Sequence, residues 1–211
     1  MTKRKILGRE FKVNDHPFWQ KVEDGTWESA VIEKLADIVK PTDIIFDVGA
    51  WIGVYTLLLS RLARWVVAFE PCPFSSEILI GNLNLNGIEN VTVEPYALSD
   101  RNTVEKIYYY NPTRIDEMMA SSMWNMVNRG QEKEGIYVPT KTIDSYCERN
   151  NVKPDGIKID VEGYEDKVLA GCSQDCWKIV ELHSSFAGYP KVEGELLDGD
   201  WYMGHLFVEA A

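Results

Sequence analysis

Short apolar runs alternate with stretches of helical spacing along most of the chain. Five of the runs contain few polar residues and are predicted to be strands buried on both faces: 44–48, 65–69, 91–93, 156–160 and 177–183. Between them, apolar residues recur at helical intervals and predict helices at 26–39, 54–62, 75–86, 142–149 and 164–170. The alternation of strands with helices predicts an α/β fold with a mainly parallel central sheet and helices on both faces.

Residues 1–25 do not follow this pattern. A short segment at 5–13 predicts an irregular strand pair, and the whole of 1–25 is interpreted as an N-terminal arm or cap. Residues 26–211 then form the main domain, which is a size that one hydrophobic core can support.

Composition and charge exclude several classes of protein. The net charge of the 211-residue chain is −11, and because an acidic surface repels phosphate backbones, a nucleic-acid partner is not expected. No apolar run reaches the roughly 20 residues that a membrane span needs, and no apolar stretch follows the basic N-terminus as in a signal peptide. The four cysteines lack zinc-pair spacing and are expected to be reduced in a cytoplasmic protein.

Acidic residues and a histidine lie at or next to the carboxyl ends of four predicted strands. They are Asp47, Glu70, Asp160, Glu181 and His183. In an open parallel sheet, ligands bind where the carboxyl ends of the strands meet. These five side chains are therefore expected to form one constellation.

A glycine motif links the first of these strands to the helix that follows it. In Asp47-Val48-Gly49-Ala50-Trp51-Ile52-Gly53, the two glycines allow a tight turn and a close approach of the helix start. A dinucleotide-binding loop would carry a glycine where Trp51 stands, and Asp47 adds a negative charge, so a pyrophosphate ligand and a nicotinamide dehydrogenase are disfavoured. Glu70, at the end of the next strand, can accept both hydroxyls of a ribose. A ligand with an adenosine ribose, a cationic end and no phosphate is S-adenosylmethionine (SAM).

Several sequence blocks resemble those of FkbM-type methyltransferases. They are Asp47-Val48-Gly49-Ala50-x-x-Gly53, Ala68-Phe69-Glu70-Pro71, Asn82-x-Asn84-x-Asn86-Gly87, Ala97-Leu98-Ser99-Asp100, Thr142-Ile143-Asp144 and Ile157-Lys158-Ile159-Asp160-Val161-Glu162-Gly163-x-Glu165. The resemblance implies a Rossmann-like class I methyltransferase fold that uses SAM as its cofactor. It also implies methylation of a hydroxyl on a sugar, a glycan or a small metabolite, with 26–211 as the SAM-binding methyltransferase domain.

The same resemblance implies a set of cofactor contacts. Asp47, Gly49, Ala50 and Gly53 would hold the methionine end of SAM, Glu70 its ribose, and Ala97 and Leu98 its adenine; Pro71, beside Glu70, is included in the set. Folds of this family normally end in a two-stranded antiparallel hairpin. Because few residues follow Ser184, the C-terminal strands are expected to be abbreviated.

Methyl transfer to a hydroxyl needs a group that removes the hydroxyl proton. Asp160 and His183 are the preferred bases, Glu162 completes the predicted catalytic set, and Glu181 is a further candidate. A divalent metal held by some of these four side chains is an open alternative, although no metal site is predicted. The strand at 156–160 lacks the Asn/Asp-Pro-Pro-aromatic loop that is common in amino methylation, which favours an oxygen acceptor.

Two other functions stay open at this point, namely a SAM-binding module without catalysis and N-methylation of another acceptor. The expected partner is a small molecule or a carbohydrate. A segment rich in methionine at 118–126 is compatible with an acceptor pocket or lid and equally with packing over the sheet edge.

Overall fold

The computed structural model describes residues 1–108, 135–183, 194–199 and 203–210. Its strands are β1 (Thr2–Ile6), β2 (Arg9–Val13), β3 (Ile44–Val48), β4 (Trp65–Phe69), β5 (Val91–Glu94), β6 (Ala97–Leu98), β7 (Thr103–Tyr108), β8 (Gly135–Lys141), β9 (Gly156–Ile159), β10 (Trp177–His183), β11 (Glu195–Gly199) and β12 (Met203–Val208). Its helices are α1 (Phe18–Glu23), α2 (Ser29–Ile38), α3 (Val54–Ser60), α4 (Pro73–Leu85), α5 (Ile143–Asn150) and α6 (Glu165–Ala170). None of the described helices is both long and apolar enough to span a bilayer.

A seven-stranded sheet forms the centre of the fold, with the strand order β11-β12-β10-β9-β3-β4-β5. The five strands from β10 to β5 are parallel to one another. Strands β3 and β9 are buried along nearly their whole length because helices cover both faces of the sheet. Helices α2 and α3 pack on one face, around Ile45 and Ile179, and helices α5 and α6 pack on the other, around Phe46 and Ile157. The predicted α/β fold with a mainly parallel sheet is confirmed.

The order of the strands reverses at β3. Strands β4 and β5 extend the sheet on one side of β3, whereas β9 and β10 extend it on the other. The connections that leave β3 and β9 therefore diverge above the carboxyl end of the sheet and open a crevice there. The chain elements at this point are close together, since a Cβ atom added at Gly49 would lie 1.8 Å from the carbonyl oxygen of Asp160.

The C-terminal hairpin is present and is made of two short strands. Strand β12 pairs antiparallel with β10, from Lys178 opposite Val208 to His183 opposite Met203. Strand β11 pairs antiparallel with β12. Both strands fit into the short stretch after β10 because they contain only 5 and 6 residues.

A small second sheet, in the order β6-β8-β7, is a feature that the sequence pattern does not predict. Strand β8 pairs antiparallel with β7 and parallel with β6. Strands β7 and β8 are partly exposed, and β8 contains Pro139, so no continuous apolar run marks them. The sheet bears on function because Ala97, Leu98 and Ile107 line the cavity described below.

Two asparagines tie the N-terminal hairpin to the rest of the chain. Asn82 of α4 accepts a hydrogen bond from the backbone N–H of Asn14 (2.8 Å) and donates one to the carbonyl oxygen of Ile52 (2.9 Å). Asn86, which follows α4, exchanges two hydrogen bonds with the backbone of Lys12. The asparagine-rich block thus connects β2, α4 and the glycine loop. The division of the chain into an arm and a main domain stays a prediction.

Candidate active site

A cavity of about 240 Å³ opens at the carboxyl ends of β3, β4, β9 and β10. Eight residues predicted to form the site line this cavity: Gly49, Glu70, Pro71, Ala97, Leu98, Asp160, Glu162 and Glu181. Asp47, Ala50 and Gly53 are buried and are not among its lining residues. His183 ends β10, but its side chain lies outside the described part of the structure, as does the segment 118–126.

Hydrogen bonds fix the glycine loop to the end of β4. The N–H groups of Gly49 and Ala50 both donate to the carbonyl oxygen of Phe69, at 3.0 and 3.1 Å. Gly49 has a φ of +78°, and the nearby backbone of β9 leaves no space for a side chain there. Trp51, which also has a positive φ (+49°), directs its N–H to Oε2 of Glu70 at 2.7 Å. The loop therefore holds the Glu70 carboxylate in a defined position.

Glu70 is buried and lines the cavity. Its Oε1 accepts a second hydrogen bond, from the N–H of Cys72 at 2.8 Å. Burial raises the pKa of Glu70 to about 7, and the backbone N–H groups of Cys72 and Trp51 offset only part of this effect. Proton binding at Glu70 is therefore coupled to any ligand that requires its carboxylate.

Lys158 is a buried cation beneath the cavity that the sequence analysis did not assign to the site. It lies opposite Asp47 in the register of β9 with β3, and Asp160 follows on the same face. Its Nζ atom lies 3.2 Å from Oδ2 of Asp160, 3.6 Å from Oδ1 of Asp47 and 3.3 Å from the carbonyl oxygen of Gly49. Burial opposes the charge, but Asp160 and Asp47 outweigh it and raise the pKa of Lys158 above its usual value. A lysine in the middle of an otherwise apolar strand is the signal that could have revealed it.

Asp47 contacts protein groups below the cavity wall. The hydroxyl of Thr56 donates to its Oδ2 at 2.5 Å, and Lys158 lies beside its Oδ1. Burial raises the pKa of Asp47, whereas Lys158 and Thr56 act in the opposite direction. Asp47 therefore supports the site through Lys158, and its direct contact with a cofactor stays a prediction.

A row of polar side chains continues across the same face toward the edge of the sheet. In the strand register, Glu181 on β10 lies opposite His205 on β12, which lies opposite Asp198 on β11. Nδ1 of His205 lies 2.8 Å from Oδ1 of Asp198, and the backbone N–H of His205 donates to the same oxygen at 3.0 Å. Burial disfavours a charge on His205, but its contacts with Glu28 and Asp198 raise its pKa.

Glu28 joins this row from the start of α2. The helix begins at Ser29, and not at the predicted position 26, because Glu28 has a left-handed φ of 43° that is incompatible with the first turn. Its Oε2 accepts a hydrogen bond from the hydroxyl of Tyr55 and lies 3.2 Å from Nε2 of His205. Both Glu28 and Glu181 line the cavity. Burial and the neighbouring Asp160 raise the pKa of Glu181 far above its usual value.

Comparison with known proteins identifies the family. The family model described as "Methyltransferase FkbM domain" matches residues 47–199, which include the glycine loop and β4, β9 and β10. The chain belongs to the FkbM methyltransferase family. The match leaves Glu28 and His205 outside its limits.

Relatives of this FkbM-family chain include two proteins whose names describe their substrates. Hexuronic acid methyltransferase AglP of Haloferax volcanii is 28% identical over 169 residues, which cover 78% of this chain and 66% of that protein. The 31-O-demethyl-FK506 methyltransferase FkbM of Streptomyces tacrolimicus is 26% identical over 181 residues, which cover 69% of this chain and 67% of that protein.

Solved structures confirm the Rossmann-like class I methyltransferase fold. The Escherichia coli protein yhhF, a candidate methyltransferase, matches with a TM-score of 0.57 and 16% identity. The match covers 100% of this chain and 99% of that one, so the likeness extends over the whole architecture.

Glu165 gives the last FkbM block its shape. Its Oε1 accepts hydrogen bonds from the N–H groups of Val161 (3.2 Å) and Gly163 (3.0 Å), and the side chain is buried. The turn between them places Glu162 and Gly163 at φ of 57° and 97°. Glu165 therefore supports the turn that presents Glu162 to the cavity, a role that its acidic type alone does not indicate.

Proposed function

We propose that this chain is a SAM-dependent methyltransferase that transfers a methyl group to a hydroxyl oxygen of a sugar, a glycan or a small metabolite. The position of Glu70 is the observation that supports this proposal most directly. Its carboxylate lies at the end of β4, borders the cavity and is held by the N–H of the glycine loop. An acid at this place in a Rossmann-type sheet binds the hydroxyls of a ribose.

The donor would lie across the carboxyl ends of β3 and β4. The glycine loop would receive its methionine end, Glu70 with Pro71 its ribose, and Ala97 with Leu98 its adenine. Lining residues of opposite character support this orientation, since Ala97 and Leu98 are apolar whereas the other side of the cavity carries Asp160 and further acids. Those acids favour the sulfonium and ammonium charges of SAM.

The reaction is a displacement at the methyl carbon. A bond forms between this carbon and the acceptor oxygen while the carbon–sulfur bond breaks, the sulfur keeps the electron pair, and the hydroxyl proton passes to a base. Asp160 and Glu162 border the cavity and are candidate bases, with His183 at the end of β10 as the third. The contact of Lys158 with Asp160 fixes the position of this carboxylate. We therefore expect alignment of the catalytic carboxylate, the acceptor hydroxyl and the methyl group to contribute a large part of the rate enhancement.

The name of one relative favours oxygen as the acceptor atom, and the name of another favours a carbohydrate. AglP is named for a hexuronic acid, and the Streptomyces tacrolimicus enzyme is named for position 31-O of its substrate. A carbohydrate or another hydroxyl-bearing small molecule is therefore the proposed partner of this chain.

Calorimetry with SAM, followed by an acceptor screen that detects released S-adenosylhomocysteine, tests this function. We expect SAM to bind and hydroxyl-bearing acceptors to be methylated. His183→Ala should retain SAM affinity, and Asp160→Asn should lower it only modestly because further acids line the same side of the cavity. Loss of the base should lower turnover by about 10²–10⁴-fold. Absence of heat at millimolar SAM would contradict the proposal. SAM binding without turnover of any acceptor would instead favour a module without catalysis.

A further inference from the structure

Three side chains next to the cavity have the composition and spacing of a metal site. Glu28, Glu181 and His205 each offer one ligand atom, and these atoms lie within 4.8 Å of one another. Two carboxylates and one imidazole form a donor set that suits divalent first-row metals. The three residues come from α2's start, β10 and β12, so the fold itself assembles the group.

His205 is oriented as a ligand by a second carboxylate. Asp198 contacts Nδ1 at 2.8 Å, which assigns the Nδ1 proton to that contact and leaves Nε2, which faces Glu28, as the ring nitrogen that a metal would bind in place of a proton. Metal-binding histidines usually have such a carboxylate partner. His205 is only 4% exposed, so the direction of its ring is set by its surroundings.

The Nε2 atom of His205 is the observation that points to a ligand. It lies 3.2 Å from Oε2 of Glu28 but outside hydrogen-bond geometry, and it has no hydrogen-bond partner among the described residues. A buried ring nitrogen without a hydrogen bond is costly in a protein interior. A cation between Nε2 and the two carboxylates would provide the missing interaction.

The site is accessible and borders the space assigned to the reaction. Glu28 and Glu181 line the cavity, and the side chain of Glu28 is 15% exposed, which provides a route from solvent. Lys158, the buried cation nearby, is engaged with Asp47, Asp160 and Gly49. Its contacts lie on the β3 side of the row, away from His205.

We propose that Glu28, Glu181 and His205 bind a divalent metal ion of the Mn²⁺ type at the edge of the cavity, with Asp198 as the positioning residue of His205. Three protein ligands leave coordination positions for water or for an acceptor hydroxyl. A hydroxyl bound there would be more acidic and would be fixed beside the methyl donor. This catalytic role rests on the proposed function, whereas metal binding itself does not.

Titration of the metal-free full chain with Mn²⁺ alone, without SAM or acceptor, tests the site. Electron paramagnetic resonance of free Mn²⁺ and calorimetry should show a single ion bound per chain. The substitutions Glu181→Gln and His205→Ala should each weaken binding at least about tenfold, and Asp198→Asn should weaken it about 10–100-fold. The matched control is Glu33→Gln, which makes the same chemical change at an exposed position of α2 and should change affinity by less than about threefold.

A measurement on the unmodified chain keeps the test independent of variant stability. Electron spin echo modulation of bound Mn²⁺ should show coupling to one imidazole nitrogen, and the coupling should be absent in His205→Ala. Absence of Mn²⁺ binding at millimolar metal, absence of nitrogen coupling, or an equal loss of affinity in Glu33→Gln would overturn the proposal. Glu28, Tyr55 and His205 would then form a polar network without a metal. The proposed SAM-dependent function would not be affected by this result and would still be decided by its own tests.

Discussion

The raised pKa of Glu70 predicts how SAM binding depends on pH. Ribose hydroxyls donate to the carboxylate of Glu70, and a protonated side chain must first lose its proton to accept both of them. Burial raises this pKa to about 7 in the unliganded protein. SAM affinity should therefore be constant at alkaline pH and decrease as the pH falls through neutrality.

The size of the effect follows from the same pKa. With a pKa of about 7, protonated Glu70 outnumbers the ionised form about 30-fold at about pH 5.5. SAM should thus bind about 30-fold more weakly at about pH 5.5 than at about pH 8, which corresponds to about 2 kcal/mol. Replacing Glu70 by Gln should abolish this titration and reduce affinity at about pH 8 by about 10–100-fold, because hydrogen bonds to a charged group contribute about 1.5–3 kcal/mol.

Calorimetric titration over this pH range provides the assay. Measurements in two buffers with different ionisation enthalpies should detect release of close to one proton per SAM at about pH 6. Glu77→Gln, the same chemical change at an exposed position of α4, should keep both the affinity and the pH profile of the unmodified chain. An affinity independent of pH, or a Glu70→Gln profile that matches the unmodified chain, would show that Glu70 does not bind the ribose.

Two further predictions concern the framework of the site. Lys158→Met should lower the free energy of unfolding in urea by about 3–5 kcal/mol, because the buried Asp47 loses its cation. Lys153→Met, at an exposed position, should lower it by less than about 0.5 kcal/mol. Similar losses in both variants would contradict a structural role for the buried pair. Gly49→Ala should destabilise the chain more than Gly87→Ala in the same assay. Both glycines have positive φ, but only at position 49 would the added Cβ meet another backbone, at 1.8 Å, while position 87 has open space and should cost about 1–2 kcal/mol. Equal costs would mean that the close approach of β9 is not the constraint.

The parallel core of this protein is determined by its local sequence. Strands β3, β4 and β10 begin and end at the predicted residues because each is an apolar run bounded by polar or turn-forming residues. Glu70 and Asp160 meet at one cavity for a related reason, since the carboxyl ends of parallel strands share one edge of the sheet. These features follow from the position of each strand along the chain and do not depend on which strands pair with each other.

The sequence pattern did not predict pairing between segments that are far apart along the chain. The sheet formed by β6, β7 and β8 has partly exposed strands, so its sequence carries no clear periodic signal. The C-terminal hairpin consists of short strands, and its antiparallel pairing with β10 is set by the register and not by a local motif. Lys158 is visible as an odd residue in an apolar strand, but its partner Asp47 is identified only by the register of β9 with β3.

Glu28 and His205 show this limit most clearly. They come from opposite ends of the chain, and neither belongs to a motif that the sequence analysis recognised. The antiparallel register of β12 with β10 places His205 beside Glu181, and the packing of α2 on the same face brings Glu28 to them. Local spacing determines which side of a strand a residue occupies, whereas strand register and helix packing determine its neighbours, and these depend on contacts across the whole fold.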